Sequence, residues 1–316
     1  MVDSFERINR GYDQLTRPGR LTVGVAVPIE NHGNDPVATM DGHLERARLV
    51  EQLGFAGLWI RDVPFFDPNF GDAGQVFDPF VYLGQLAAVT DTITLGVGSI
   101  ALPLHHPANV AKAAASADRL SGGRLVLGIA SGDRPVEYPA MNIAHRERGE
   151  RYREAYHYIR AMAEPYPVHR SAIYGHLDGR VDLLPKPMGG KLPMLVTGGS
   201  QQSDDWIARH GDGWLAYPRP LPDLERVITG WRQRIAALGQ PDRPYFQSLL
   251  VDIDDGVAEP QGIHLGYRMS TAHLAAYLRQ LRSIGVNHVG LSLRFNRADV
   301  VDTLKRISAE VLPEFG

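Results

Sequence analysis

The apolar run at 193–198 ends in Thr197-Gly198-Gly199-Ser200, and a helix start follows near Ser203, with Asp204, Asp205 and Trp206 behind it. Glycines at a strand-to-helix turn let backbone N–H groups close on an anion, and a helix N-terminus favours negative charge. The segment reads as a phosphate seat, although a plain turn with a serine cap has the same residues. A second small-residue passage, Ala130-Ser131-Gly132-Asp133-Arg134-Pro135, leads from an apolar run into a loop; Asp133 and Arg134 can hold a polar ligand or each other. Arg61-Asp62 closes a third run, where Asp62 can serve as base, orienter or partner of Arg61. His264, Tyr267 and Arg268 follow a later run and Arg294 ends another, and both positions project towards the same rim.

Several chemistries are excluded. The chain has no cysteine, hence no disulfide, thiolate ligand, iron–sulfur cluster or cysteine nucleophile. Its 12 histidines show no H-x-H on the first strand and no H-E-x-x-H, and the adjacent His105-His106 point apart on any regular element, so no metal is expected. The nearest approach to a G-x-S-x-G elbow, at 128–132, has Ser131 one place late. GVGSIA at 96–101 matches a dinucleotide fingerprint, but Pro103 breaks the helix that must open there; Gly96 and Gly98 read better as room made inside a crowded core. A formal charge of −3 argues against nucleic acid as partner. With no signal-peptide core and no membrane-length apolar run, a soluble cytoplasmic protein is expected. A phosphate seat without metal or nucleophile points to a phosphate-bearing cofactor that carries the reaction.

The elements that position these residues repeat. Helical periods such as Met40, Leu44, Ala47, Val50 and Leu53 end in glycine, and an apolar run follows: Leu53-Gly54, Ser121-Gly122-Gly123, His210-Gly211 and Ile284-Gly285 are helix-to-strand passages with a glycine cap. Asp78-Pro79 and His106-Pro107 mark helix starts. Eight strands are predicted, at 21–27, 57–60, 93–100, 124–130, 193–198, 213–217, 245–251 and 288–293. Eight buried strands alternating with helices predict a parallel sheet, closed as a single (β/α)8 barrel over 21–316 behind an N-terminal extension at 1–20; an open doubly wound sheet is the alternative. The 33 glycines and 22 prolines mark the many short turns this requires. The irregular stretches 61–77, 131–146 and 252–269 follow strands and belong to the rim that carries active sites in barrels. The stretch 164–192 reads as an inserted hairpin. Tyr152, Tyr156 and His157 read as packing.

Three segments resemble the bacterial luciferase-like monooxygenases, (β/α)8 barrels that use reduced flavin (FMN) or the deazaflavin coenzyme F-420. They are ITLGVGSIALPLHHPANVAKAAASADRLSGGRLVLGIASGD at 93–133, LVTGGSQQSDDWIARHGDGWL at 195–215, and the first β-α-β stretch ending in GFAGLWIRDVP. The resemblance runs from about 21 to 312. It implies that Thr197, Gly198, Gly199 and Ser200 bind the cofactor phosphate, with Ser131 and Gly132 closing the pocket and Asp62 near the flavin ring. It also implies a nonprolyl cis peptide at Ser99–Ile100, bulging against that ring.

Where many relatives read S-D-H at the end of strand two, this chain reads Arg61-Asp62-Val63. With that histidine missing, proton handling passes to His105 or His264, or to Arg268 as an electrostatic stabiliser, and FMN is favoured over F-420. The resemblance implies a monooxygenase that acts with reduced FMN and O2. Phe65, Phe66, Phe70, Tyr138, Tyr217 and Phe295 near the rim point to a small apolar or aromatic substrate, although such aromatics equally pack under loops or in a contact between copies. A separate flavin reductase and a second copy of the chain, as a homodimer, are the expected partners. F-420-dependent hydride transfer and non-catalytic flavin binding are the alternatives.

Overall fold

The computed structural model describes residues 5–31, 35, 37–70 and 76–315. Its strands are β1 (Thr22–Ala26), β2 (Gly57–Ile60), β3 (Thr94–Ala101), β4 (Leu125–Ala130), β5 (Val168–Ser171), β6 (Gly175–Asp178), β7 (Met194–Thr197), β8 (Gly213–Ala216), β9 (Tyr245–Ile253), β10 (Gln261–Ile263), β11 (Gly266–Met269) and β12 (Val286–Ser292). Its helices are α1 (Arg10–Leu15), α2 (His43–Gln52), α3 (Pro79–Val89), α4 (Pro107–Leu120), α5 (Glu137–Ala140), α6 (Arg148–Ala161), α7 (Asp204–His210), α8 (Leu221–Ala237), α9 (Thr271–Ser283) and α10 (Val300–Glu310).

The parallel ladder β1-β2-β3-β4-β7-β8-β9-β12 returns to β1, through Trp214↔Tyr245 between β8 and β9 and Thr22↔His288 between β1 and β12. The sheet is therefore a closed eight-stranded barrel, and the open doubly wound sheet is ruled out. All eight predicted strands are barrel staves. The hairpin in 164–192 is β5–β6, antiparallel from Val168↔Asp178 to Ser171↔Gly175.

Local sequence explains the helix starts. The Asp78 carboxylate accepts the Phe80 and Val81 N–H groups ahead of Pro79, and Ser203 caps α7 at the Trp206 N–H. The glycine passages hold at Gly54, Gly122 and Gly285, each with positive φ. They fail at Gly211, whose φ is −68°. There glycine is required by packing: a Cβ would lie 2.9 Å from the Gly213 carbonyl oxygen and 3.0 Å from a Val196 methyl.

Stretch 252–269 is more ordered than expected. Strand β9 runs on to Ile253, and on the edge that β8 leaves after Gln247 its last residues pair with β11, which folds back on β10. The loop after β2 was expected to be irregular over 61–77, of which residues 71–75 lie outside the described residues.

Two apolar layers hold the barrel. One lies between staves and helices, around Leu58, Ile60, Val97, Leu127, Val196, Leu249 and Leu291. The other fills the barrel itself with Trp59, Val126, Leu195, Leu215 and Phe246, and Ile8, Tyr12 and Leu15 plug it from α1 and its approach. The Tyr12 hydroxyl donates to the Asp212 carbonyl at 2.6 Å, and Asn9 Nδ2 donates to Asp118 and to the Leu125 carbonyl. Gly96 is needed inside: a Cβ there would fall 2.4 Å from the Trp59 ring. This packing role replaces the dinucleotide reading of GVGSIA.

Candidate functional site

The C-terminal ends of β2, β3, β4, β7 and β8 open on a cavity of about 400 Å³. Asp62, Ser99, Ser131, Gly132, Thr197, Gly198, Gly199 and Ser200 all line it, so most of the residues singled out from the sequence converge. Three do not. Ile100 is fully buried and packs into the stave–helix layer. His264 sits at the β10–β11 turn with its ring 6.4 Å from that of Phe295. The guanidinium of Arg268 is held 2.8 Å from Asp252, which Arg297 also contacts. Neither His264 nor Arg268 lines the cavity, and neither does any residue of β9, the strand that the hairpin joins.

The floor is the end of β3. The nonprolyl cis peptide is Gly98–Ser99, one residue before the expected Ser99–Ile100, where the β3–β4 pairing loses register between Val97 and Ile100. Beside it Asp62, buried to 7% exposure, uses Oδ2 twice, accepting the Ala101 N–H at 3.0 Å and meeting His105 Nε2 at 2.6 Å. Asp62 is thus partnered by His105 and by the β3 backbone. Burial pulls the His105 pKa down, but the hydrogen bond and charge of Asp62, with the charges of Asp78 and Glu137, outweigh it and raise the value above that of a free imidazole.

The β7 end forms the cradle. Ser200 Oγ donates back to the Thr197 carbonyl at 2.7 Å, Gly198 N–H donates to Leu215, and Trp214 Nε1 donates to the Gly198 carbonyl. Ser200 and Gln201 take left-handed φ values of 44° and 57°. A Cβ at Gly198 or Gly199 would meet open space, and the Thr197 hydroxyl is buried without a partner. Ser203 satisfies the start of α7 itself, so the seat is the turn. The turn is backed by α6, where Gln202 Nε2 donates to the Gly149 carbonyl at 2.9 Å and Arg148 reaches the cavity. An unpartnered hydroxyl, two open glycines and an adjacent guanidinium fit a bound phosphate.

The β4 loop closes the far wall. Gly132, at φ 76°, lets the Tyr138 hydroxyl approach and donate to the Ser131 carbonyl; a Cβ would lie 2.7 Å from that hydroxyl. Tyr138 is accordingly buried, and the aromatics of the cavity wall are Phe70 and Tyr217. The Arg134 guanidinium lies 4.2 Å above the Phe70 ring and 3.9 Å from Glu137. Glu137 is 2% exposed, and its Oε1 has no hydrogen-bond partner. Burial is the main force that pushes its pKa up to about 7, aided by the charges of Asp62 and Asp133 and opposed by Arg134 and the Phe65 N–H. Glu137 and Arg148 were not singled out from the sequence. They open α5 and α6, and nothing in local pattern marks them as buried or cavity-lining. Tyr156, read as packing, donates to the His210 carbonyl and meets the Trp206 ring edge-on.

A sequence profile of the luciferase-like monooxygenases matches residues 21–275. The chain belongs to the luciferase-like monooxygenase family, a family of oxidoreductases. It is 28% identical over 231 residues to 4-hydroxyprotoasukamycin monooxygenase of Streptomyces nodosus subsp. asukaensis, a match covering 71% of this chain and 61% of that protein. It is 30% identical over 216 residues to the F-420-dependent hydroxymycolic acid dehydrogenase of Mycobacterium tuberculosis, covering 67% and 57% respectively. The chain thus spans about three fifths of the length of these two relatives. In fold it is similar to the oxygenating constituent of 3,6-diketocamphane monooxygenase from Pseudomonas putida, solved with FMN, with a TM-score of 0.75, 15% identity, and 94% and 99% of the two chains covered. The relatives thus include both flavin and deazaflavin proteins. Among the described residues no helix is long and apolar enough to cross a membrane.

Proposed function

We propose that the chain is a flavin-dependent monooxygenase that acts with reduced FMN and O2 on a small organic substrate. The observation that carries this reading is the meeting of the Thr197–Gln201 cradle and Asp62, which His105 backs at 2.6 Å, in one cavity. Thr197, Gly199, Ser200 and Arg148 hold the cofactor phosphate, and Ser131 and Gly132 close the pocket. When bound, reduced flavin supplies the electrons for oxygen activation. The protein orients the ring against the Gly98–Ser99 floor, keeps water out and holds protons at His105 and Glu137. Phe70 and Tyr217 give the substrate an apolar face. A separate reductase supplies reduced FMN, as the description of the diketocamphane protein as an oxygenating constituent suggests by analogy. Transfer of hydride with F-420 is the second reading, favoured by the hydroxymycolic acid dehydrogenase relative. Fluorescence titration with FMN and F-420, followed by admission of air to the anaerobic reduced-FMN complex, separates the two. Tighter binding of F-420, or oxidation of FMN no different from that in buffer, defeats the monooxygenase reading.

A further inference from the structure

We propose that Glu137 is the acid–base residue of this cavity, its carboxyl donating through Oε1 the proton consumed when O2 is reduced there. The inference rests on the reading of the cavity as a flavin and oxygen site. Glu137 opens the single-turn helix α5, lines the cavity and is almost fully buried, and its Oε1 lacks any donor. Native proteins seldom leave a buried carboxyl oxygen unpaired without a use for it. A purely structural role would be to anchor Arg134, but the 3.9 Å separation is too long for a hydrogen bond and leaves that oxygen free.

The groups that face Glu137 explain its readiness to hold a proton. Asp133 lies in the same loop, Asp62 at the end of β2 and His105 ahead of α4, with Arg134 and Tyr138 flanking in sequence and the Phe65 N–H above. The two aspartates oppose a second negative charge, while Arg134 favours it. A carboxyl that is half protonated near neutral pH can both give and recover a proton, which is what general acid–base work requires.

The balance of the step is simple. Anionic reduced flavin passes two electrons and one proton to O2, and Glu137 supplies the second proton, so that oxidised flavin and hydrogen peroxide form in the absence of substrate. The carboxyl O–H bond breaks, its electron pair stays on Oε1 beside Arg134, and solvent returns the proton.

Infrared titration of the ligand-free protein from about pH 5 to about pH 9 tests the proton-holding state directly. The wild type is expected to lose a protonated-carboxyl band with a midpoint near neutrality, and Glu137→Gln to lack that band. Arg134→Gln, which keeps the carboxyl and removes the neighbouring cation, is expected to move the midpoint upward, and it serves as a second test should Glu137→Gln fold poorly. Stopped-flow oxidation of bound reduced FMN by O2 is expected to slow above the midpoint in the wild type, and to be pH-independent and about 100-fold slower in Glu137→Gln. FMN affinity is expected to be equal in the two proteins. A wild type that binds flavin, paired with a variant that keeps the pH step or the band, overturns the role of Glu137 alone. A wild type that binds no flavin overturns the reading of the site and this role with it.

Discussion

His105 Nε2 lies 2.6 Å from Asp62 Oδ2, and the same carboxylate oxygen accepts the Ala101 N–H at 3.0 Å, so one buried charge ties the start of α4 to the end of β3. Asp62 lines the cavity, and its charge acts on both His105 and Glu137.

The first prediction concerns that pair. Burial alone depresses an imidazole, and Asp62 is the main reason that His105 is raised instead. A group whose folded pKa exceeds its unfolded value contributes stability below the unfolded value, about 6.5, and loses it as pH rises through the folded value. Asp62→Asn should therefore lower the His105 midpoint seen by imidazole NMR. Its stability deficit should be largest between about pH 5 and about pH 6.5 and should shrink as pH rises further. An unmoved midpoint would mean that the contact does not hold the proton.

The second prediction separates the cradle from the scaffold. Gly199 has open space where a side chain would go and needs no left-handed φ, unlike Gly198, so Gly199→Asp should fold normally. Its carboxylate would stand where the phosphate is proposed to bind, and FMN affinity should fall at least about tenfold through like-charge repulsion. Gly96→Ala, with its methyl driven into Trp59, should instead lose about 1–3 kcal/mol of stability. Calorimetry for FMN and denaturant unfolding for both variants give the comparison. Unaltered FMN binding by Gly199→Asp would show that the phosphate lies elsewhere.

Strand positions and helix starts were legible because they rest on local pattern: an apolar run bounded by glycine, or an Asp-Pro dipeptide, means much the same in any context. Convergence of Asp62, Ser131 and Thr197 was legible for a related reason, since residues at the C-terminal ends of barrel staves share one mouth. What stayed hidden depends on distant partners. Strand β11 adds to the edge of β9 that β8 leaves after Gln247, and no property of residues 266–269 announces that. Gly211 looked like a helix cap but answers to Val196 and Gly213. The burial of Glu137 arises from the loops of β2 and β4 folding over it, which a single segment cannot reveal. Arg268 pointed to the mouth by sequence position, yet Asp252 claims it.

The third prediction concerns Asp212, which joins α6, β7 and the α1 plug below the barrel. Its carboxylate meets Arg160 at 2.5 Å and Lys191 at 3.0 Å and accepts the Met194 N–H, while Tyr12 bonds its carbonyl. Burial raises its pKa, but Arg160 first and Lys191 next more than reverse this, leaving the group below the usual carboxylate range. Removing one partner of a buried pair strands the other charge, so Arg160→Met should cost about 3–5 kcal/mol in urea unfolding. Replacing the exposed Lys305, whose pairing with Asp302 spans 3.8 Å at the surface, should cost under about 1 kcal/mol. Similar losses for the two would remove the distinction on which the argument stands.

The fourth prediction places the acid limit of stability inside the barrel. His288 is fully buried on β12, with Nε2 2.8 Å from Trp59 Nε1 and Nδ1 2.7 Å from Thr22 Oγ1. Trp59 can only donate, so Nε2 must be the accepting nitrogen and the ring is neutral. Burial depresses its pKa to about 3, since a charged ring would set one N–H against another in a medium that cannot solvate it. A depressed histidine leaves stability intact above its unfolded value near 6.5 and erodes it by about 1.4 kcal/mol per pH unit as the medium is acidified towards the folded value. His288→Leu removes the titrating group and leaves Trp59 without its acceptor. The variant should therefore be less stable at neutral pH yet lose less on acidification, so that the two curves of unfolding free energy against pH converge below about pH 6.5. Parallel curves over that range would assign the acid limit to another group.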